Sequence, residues 1–240
     1  MEKIYSHHEN GQTKSLYVKT VKEPISSCQI YNEKKMMLTG ISLGNSYFNE
    51  DRLRVILSGF SSQFEKVAVL LVDDLAIHNY RARGYEEKRA KRKIKEDSNH
   101  TRNRIKKVIG EVEEKLGRNN IQFYQWKDIE LFSQYHQSLE VITEYYKNDD
   151  EFAQEINQAT LHVMDNYISA AQTKDSVLNE AKWYLLKEFA FINCASHFFE
   201  SSLVSGYYAD FPIFRNRLLP KIMKEPDQLC FVIYECREES

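Results

Sequence analysis

Apolar positions between residues 53 and 60 repeat with the helical period: Leu53, Ile56, Leu57 and Phe60 stand at i, i+3, i+4 and i+7. A short apolar run from Met36 to Leu38 precedes Gly40, which predicts a strand ending in a turn. The continuous run from Val67 to Val72 ends in Asp73 and Asp74 and has the pattern of a strand buried on both faces. Residues 34–74 therefore read as strand, helix, strand, a unit whose crossover is expected to be right-handed. From Gly84 to Asn119 the chain has no proline and predicts one long helix ending near Gly117, its first half almost entirely polar. "NIQFYQWKDI" predicts a third strand, and residues 131–168 predict two helices broken near Asn148–Asp150. A further helix covers 177–199, "YYADFPIFRNRLL" reads as a turn and short helix, and "QLCFVIYEC" is a last β-rich run. Residues 1–27 are polar and expected at the periphery, frayed or as an edge strand. Alternating strand and helix patterns, with no repeat or linker, predict a single α/β domain with an open, mostly parallel sheet flanked by helices.

Composition narrows this picture. Hydrophobic residues make up 42% of the 240, enough for a full core, while eight glycines and four prolines argue against a loop-rich β-sandwich and against disorder. So few glycines leave little room for a glycine-rich nucleotide loop. Cys28, Cys194, Cys230 and Cys236 lack metal-ligand spacing and read as reduced thiols of a cytoplasmic protein, and the seven histidines form no metal site. The N-terminus has no apolar signal segment, and no apolar run approaches the ~18 residues of a membrane span. Net charge is −2, but residues 81–107 hold twelve Lys/Arg against four Asp/Glu, a local +8 on an otherwise acidic chain. Lys88, Arg89, Lys91, Arg92, Lys93 and Lys95, then Arg102, Arg104, Lys106 and Lys107, would spread over ~30 Å of helix. Such a strip suits the backbone phosphates of a structured RNA better than a merely solvated helix face.

Gly40-Ile41-Ser42-Leu43-Gly44 matches the G-x-S-x-G pattern of a serine nucleophile. Ser42 is expected after the first strand of the strand–helix–strand unit, where open α/β sheets bind ligands, and a following helix N-terminus would offer N–H groups to an oxyanion. The plain alternative is a Ser or Asn cap in a tight turn. A hydrolase would need a base. His162 and His197 lie downstream without triad context, His197 reads as a packed histidine, and no H-G-G-G run is present. Tyr184 and Glu188, four apart, share a helix face amid Leu185, Leu186, Phe189 and Phe191. A carboxylate there either sits on the helix rim or holds a cationic group of a ligand, such as an ammonium.

"GISLGNSYFN", "YLLKEFAF" and the basic stretch "RARGYEEKRAKRKIKEDSNHTRNRIKKVI" together resemble the tRNA-dependent cyclodipeptide synthases over residues ~38 to ~212. The resemblance implies a Rossmann-type domain similar to the catalytic domains of tyrosyl- and tryptophanyl-tRNA synthetases. It implies an aminoacyltransferase that makes a cyclic dipeptide from two aminoacyl-tRNAs, without cofactor or metal and as a monomer. Neither H-I-G-H nor K-M-S-K-S occurs, which fits an enzyme using amino acids already charged. By motif position, Ser42 would be the nucleophile, Gly40 would let the backbone approach the substrate, and Asn45 would be the Asn of one subgroup. Tyr184 and Glu188 would bind the substrate amino group, with Glu188 also helping to move its proton. Tyr207 would act in the late step with Tyr208 in place of the family's His, although Tyr208 fits that step better by distance from Tyr184. The basic residues from Lys88 to Lys107 would bind tRNA. Leu38 and the segment Leu70 to Asp73 would line the first pocket, while Asp73, Asp74 and His78 leave a polar or charged amino acid open. Ala190 stands where the family has Pro, and Tyr208 where it has His. The rival readings are a serine esterase or other acyltransferase, and a non-catalytic tRNA-binding module of synthetase-like fold.

Overall fold

The structure is a computed structural model describing residues 1–9, 12–20, 26–165, 173–209 and 228–239. In chain order its elements are β1 (Glu2–Glu9), β2 (Gln12–Thr20), α1 (Ser26–Glu33), β3 (Met36–Ser42), α2 (Glu50–Gln63), β4 (Lys66–Val72), α3 (Ala76–Ala82), α4 (Glu87–Leu116), β5 (Ile121–Gln125), α5 (Trp126–Glu130), α6 (Ser133–Asn148), α7 (Asp150–Met164), α8 (Lys174–Phe199), β6 (Leu203–Tyr207) and β7 (Leu229–Glu239). The strands form one seven-stranded sheet, ordered β1-β2-β7-β6-β3-β4-β5. From β7 to β5 every pairing is parallel, and the hairpin β1-β2 joins the β7 side antiparallel.

Both faces of the parallel block are covered, which explains the unbroken apolar runs. In β3 and β4, Met36, Leu38, Ala68, Leu70 and Val72 face α5–α8. Met37, Ile41, Val67, Val69 and Leu71 face α2 and α4. Helix α4 is less polar than its composition suggests. Ala90, Ile94, Ser98, Thr101, Ile105, Val108 and Val112 form a buried stripe at helical spacing, and Gly117 ends the helix at φ 63°.

Of the two readings of the N-terminal segment, the edge strand holds and the frayed one does not: β1 is the edge strand, and β2 lies inside it with Leu16 and Val18 buried. Strand β6, not foreseen, wedges between β7 and β3, and α3 follows β4 directly. Residues 210–219 of the expected turn and short helix lie outside the described residues. Among the described residues, no helix is long and apolar enough to cross a membrane, and no cluster of His, Cys, Asp or Glu could hold a metal.

The chain leaves β3 toward β4 and β5 on one side and returns as β6 on the other. The carboxyl ends of β3 and β6 therefore flank the point where strand order reverses, the usual ligand crevice of such sheets. Ser42 ends β3, and Tyr207 ends β6.

Candidate active site

Ser42 lies on the same side of β3 as Leu38, toward the helices α5–α8. The chain then turns through Gly44, at φ 72°, into a short 3-10 turn over Ser46–Phe48. Helix α2 starts at Glu50 and is capped by Asn49, whose side chain accepts from the Arg52 N–H at 2.9 Å. Ser42 is thus neither a helix cap nor the apex of a sharp strand-to-helix elbow.

Asn45 organises this turn. Its Oδ1 accepts from the Tyr47 N–H at 3.0 Å, which fixes the amide orientation. Its Nδ2 then donates to Ser42 Oγ at 3.3 Å and to Tyr208 Oη at 2.7 Å. Tyr184, from α8, lines the cavity together with Ser42. Glu188 lies one helical turn further along α8 in the same cavity wall. Apolar surroundings push its carboxyl up to about 7. Among the described residues no cation pairs with it. Burial, and next the nearby Glu188 carboxyl, push the Tyr184 and Tyr207 phenols well above their usual range. These side chains surround a cavity of about 430 Å³. Gly40 forms part of its floor, where an added Cβ would come within 3.7 Å of Val72 Cγ2.

Ser42, Asn45, Gly40, Leu38, Leu70, Tyr184, Glu188, Tyr207 and Tyr208 all line this cavity. Tyr207 packs its ring against Phe231, whereas Tyr208 reaches Asn45. Asp73, expected in the pocket, is not there. It continues the α4-facing parity of Val69 and Leu71, and its carboxylate accepts from Ser98 Oγ at 2.7 Å and Gln125 Nε2 at 3.0 Å. Asp74 is exposed and His78 is buried on α3, both outside the cavity lining. His162 and His197 are exposed, so the packed reading of His197 fails, and no histidine lines the cavity.

Two cavity walls went unnoticed in the sequence: α3, through Ala76, Asn79 and Tyr80, and α7, through Thr160 and Val163. Their only signal was their position just beyond a strand end or along an amphipathic helix. Tyr80 is held from behind, donating to Asp97 Oδ2 of α4 at 2.7 Å.

The basic residues divide by partner. Lys88 and Lys95 are exposed without a partner among the described residues. Arg89 lies over the Tyr85 ring and Lys106 over Phe123. Lys91, Arg92 and Lys93 pair along the helix with Glu87, Glu96 and Asp97. Arg102 donates to Asn99 at 2.7 Å. Arg104 is half-buried, and Lys107 bonds Glu50 at 2.7 Å, so these two turn toward α2.

A family model described as Cyclodipeptide synthase matches residues 21–216. The Cyclo(L-leucyl-L-leucyl) synthase of Staphylococcus haemolyticus is 23% identical over 171 residues, 68% of this chain and 70% of that protein. A cyclodipeptide synthase structure from the same organism superposes with a TM-score of 0.78 at 20% identity, covering 91% of this chain and 98% of that one. A Mycobacterium tuberculosis protein, whose structure relates cyclodipeptide synthetases to type I tRNA synthetases, gives 0.72 at 15% identity over 97% of this chain and 96% of its own. A cyclodipeptide synthase from Candidatus Glomeribacter gigasporarum, bound to Phe-tRNAPhe, gives 0.65 at 15% identity over 85% and 89%.

Proposed function

This chain belongs to the cyclodipeptide synthase family, and on that premise we propose that it joins two aminoacyl groups, both supplied as tRNA esters, through an aminoacyl-enzyme on Ser42. One observation carries the reading. A serine bonded to Asn45 shares a cavity with Tyr184 and with a carboxyl that no cation pairs with among the described residues, at the switch point of the sheet.

In the first half-reaction, Ser42 Oγ attacks the ester carbonyl, the bond to the tRNA ribose breaks, and the ribose oxygen takes the serine proton. In the second, the amine of the Ser42-bound residue attacks the second aminoacyl ester and releases its tRNA. The amine of the resulting dipeptide then attacks the ester on Ser42, closing the ring and returning the serine. The ester is already activated, so no histidine base is needed. Glu188 is placed to pair with the substrate ammonium and, with a carboxyl near neutrality, to take its proton as the amine becomes a nucleophile. Tyr184 holds the same amino group, and Tyr207 and Tyr208 serve the later transfer. The strand-side floor of Leu38, Leu70 and Val72 favours an apolar first amino acid, and the displaced Asp73, Asp74 and His78 argue against a charged one. The outward cations of α4, with Lys88, Arg89 and Lys95 foremost, supply the tRNA surface.

The test is incubation with charged tRNAs, with mass spectrometry for diketopiperazines and for an aminoacyl adduct on the protein. Ser42→Ala is expected to lose the adduct and to lower synthesis by about a thousandfold or more. Full synthesis by that variant would remove Ser42 as nucleophile. Hydrolysis of simple activated esters without any diketopiperazine would favour an esterase instead.

A further inference from the structure

Tyr47 does not line the cavity, yet three contacts tie it to residues that do. Its ring stacks on Tyr208, with centroids 4.6 Å apart and planes 23° from parallel. Its backbone N–H sets the amide of Asn45, which donates to both Tyr208 and Ser42. Its hydroxyl accepts from the Cys236 N–H of β7 at 3.3 Å, and the Arg52 guanidinium lies 4.9 Å from the centre of its ring. Phe48 closes the aromatic group edge-on to Tyr208 at 5.3 Å.

We propose that Tyr47 is a positioning residue of the reaction, its ring holding the Tyr208 hydroxyl against Asn45 at the mouth of the Ser42 site. This rests on the reading of Ser42 and Tyr208 given above. Two parts of Tyr47 do separable work. The backbone N–H orients Asn45 whatever the side chain, so Ser42 keeps its bond to Asn45 when the ring is changed. Only Tyr208 loses its support, because it follows the end of β6 and its hydroxyl has Asn45 as its anchor. Because Tyr208 Oη accepts the Asn45 N–H, its own proton is free to be donated into the cavity. A loosened ring would leave that proton misaligned when the second aminoacyl ester or the dipeptidyl ester reacts, while the first transfer to Ser42 proceeds.

The test compares Tyr47→Leu with Tyr47→Phe. For Tyr47→Leu, single-turnover formation of the aminoacyl-enzyme is expected within about threefold of the unaltered protein, and cyclic dipeptide release about tenfold slower or more. Tyr47→Phe keeps the ring and should recover most of that release. Wild-type release by Tyr47→Leu would overturn the proposal. So would equal losses in both half-reactions, or a Phe variant as impaired as the Leu one. A second readout needs no activity. With 3-fluorotyrosine at position 208, the fluorine resonance should move in Tyr47→Leu and stay nearly fixed in Tyr47→Phe, and an unmoved resonance in the Leu variant also sinks the idea. If the unaltered protein forms no aminoacyl-enzyme, the reading of Ser42 fails, and the resonance alone still decides whether Tyr47 positions Tyr208.

Discussion

Glu188 shows how a single residue trades stability for chemistry. Burial raises its carboxyl from the usual 4.5 to about 7, with no cation among the described residues to offset the cost. Below pH 4.5 the group is protonated in both folded and unfolded chains and contributes nothing. As pH rises from 4.5 to 7 the unfolded chain ionises first, so folding stability falls, and the full penalty persists above 7. Glu188→Gln should therefore be inactive yet more stable than the unaltered protein at pH 8, by about 1–3 kcal/mol, with no advantage at pH 4. Urea unfolding at the two pH values checks this, and a Gln variant less stable at pH 8 would contradict the assignment. Synthesis should in turn decline as pH falls below about 7. Much of this site was legible one residue at a time. Tyr184 and Glu188 are joined by helical spacing, and Ser42 and Asn45 by adjacency. Asp73 was misplaced although its parity was available: a period of two sends Leu70 and Val72 into the cavity and Asp73 to the α4 side. The partner that claims it, Ser98, is 25 residues away and invisible to local pattern.

At the scale of elements, α4 has two jobs on two faces. Its buried stripe packs on α2 and α3, and its exposed face carries the cations. Those without acidic partners should dominate tRNA binding, because a phosphate need not displace a carboxylate to reach them. Neutralising Lys88, Arg89 and Lys95 together is expected to weaken tRNA binding and to flatten the salt dependence, by about 0.7–0.9 in log–log slope for each phosphate left without its cation. Lys107→Gln, which removes a partner of Glu50, should leave the slope unchanged. Filter binding between low and moderate salt separates the two, and equal slopes in all variants would take α4 out of the interface. Long or strongly periodic elements such as α2, α4 and α8 could be read from the chain. Strand β6 could not, because Ser205 and Gly206 have little strand propensity of their own. Its place depends on its neighbours: an added Cβ at Gly206 would lie 2.8 Å from Met37 Cε and 3.2 Å from the Tyr234 ring, so a side chain there would have to displace the Met37 end and press on the Tyr234 ring. Helix α3 escaped for a similar reason, being seven residues long with no side-chain cap.

Across the whole molecule, the N-terminal hairpin and the site are joined through α2. Tyr5 and Leu16 of the hairpin press on Gly59 of that helix, while Tyr47, just ahead of α2, is bonded to β7, the strand on which the hairpin rests. Gly59 and Gly110 give a matched pair for testing this joint. Both are mid-helix glycines, and alanine gains ~1 kcal/mol of helix propensity at either position. At Gly110 a new Cβ meets nothing within 4 Å, so Gly110→Ala should raise stability by about 0.5–1 kcal/mol. At Gly59 it would lie 2.6 Å from Leu16 Cδ2 and 3.0 Å from Tyr5 Cβ. The Leu16 methyl can rotate away, but the Tyr5 Cβ moves only with its strand. Overpacking should then outweigh propensity, leaving Gly59→Ala about 1–3 kcal/mol less stable and Tm lower by roughly 2–4 °C per kcal/mol. Because the clash falls on the hairpin and not on the Ser42 turn, aminoacyl-enzyme formation well below Tm should stay near normal. A Gly59→Ala protein as stable as Gly110→Ala would mean that the hairpin yields to α2 rather than bracing it.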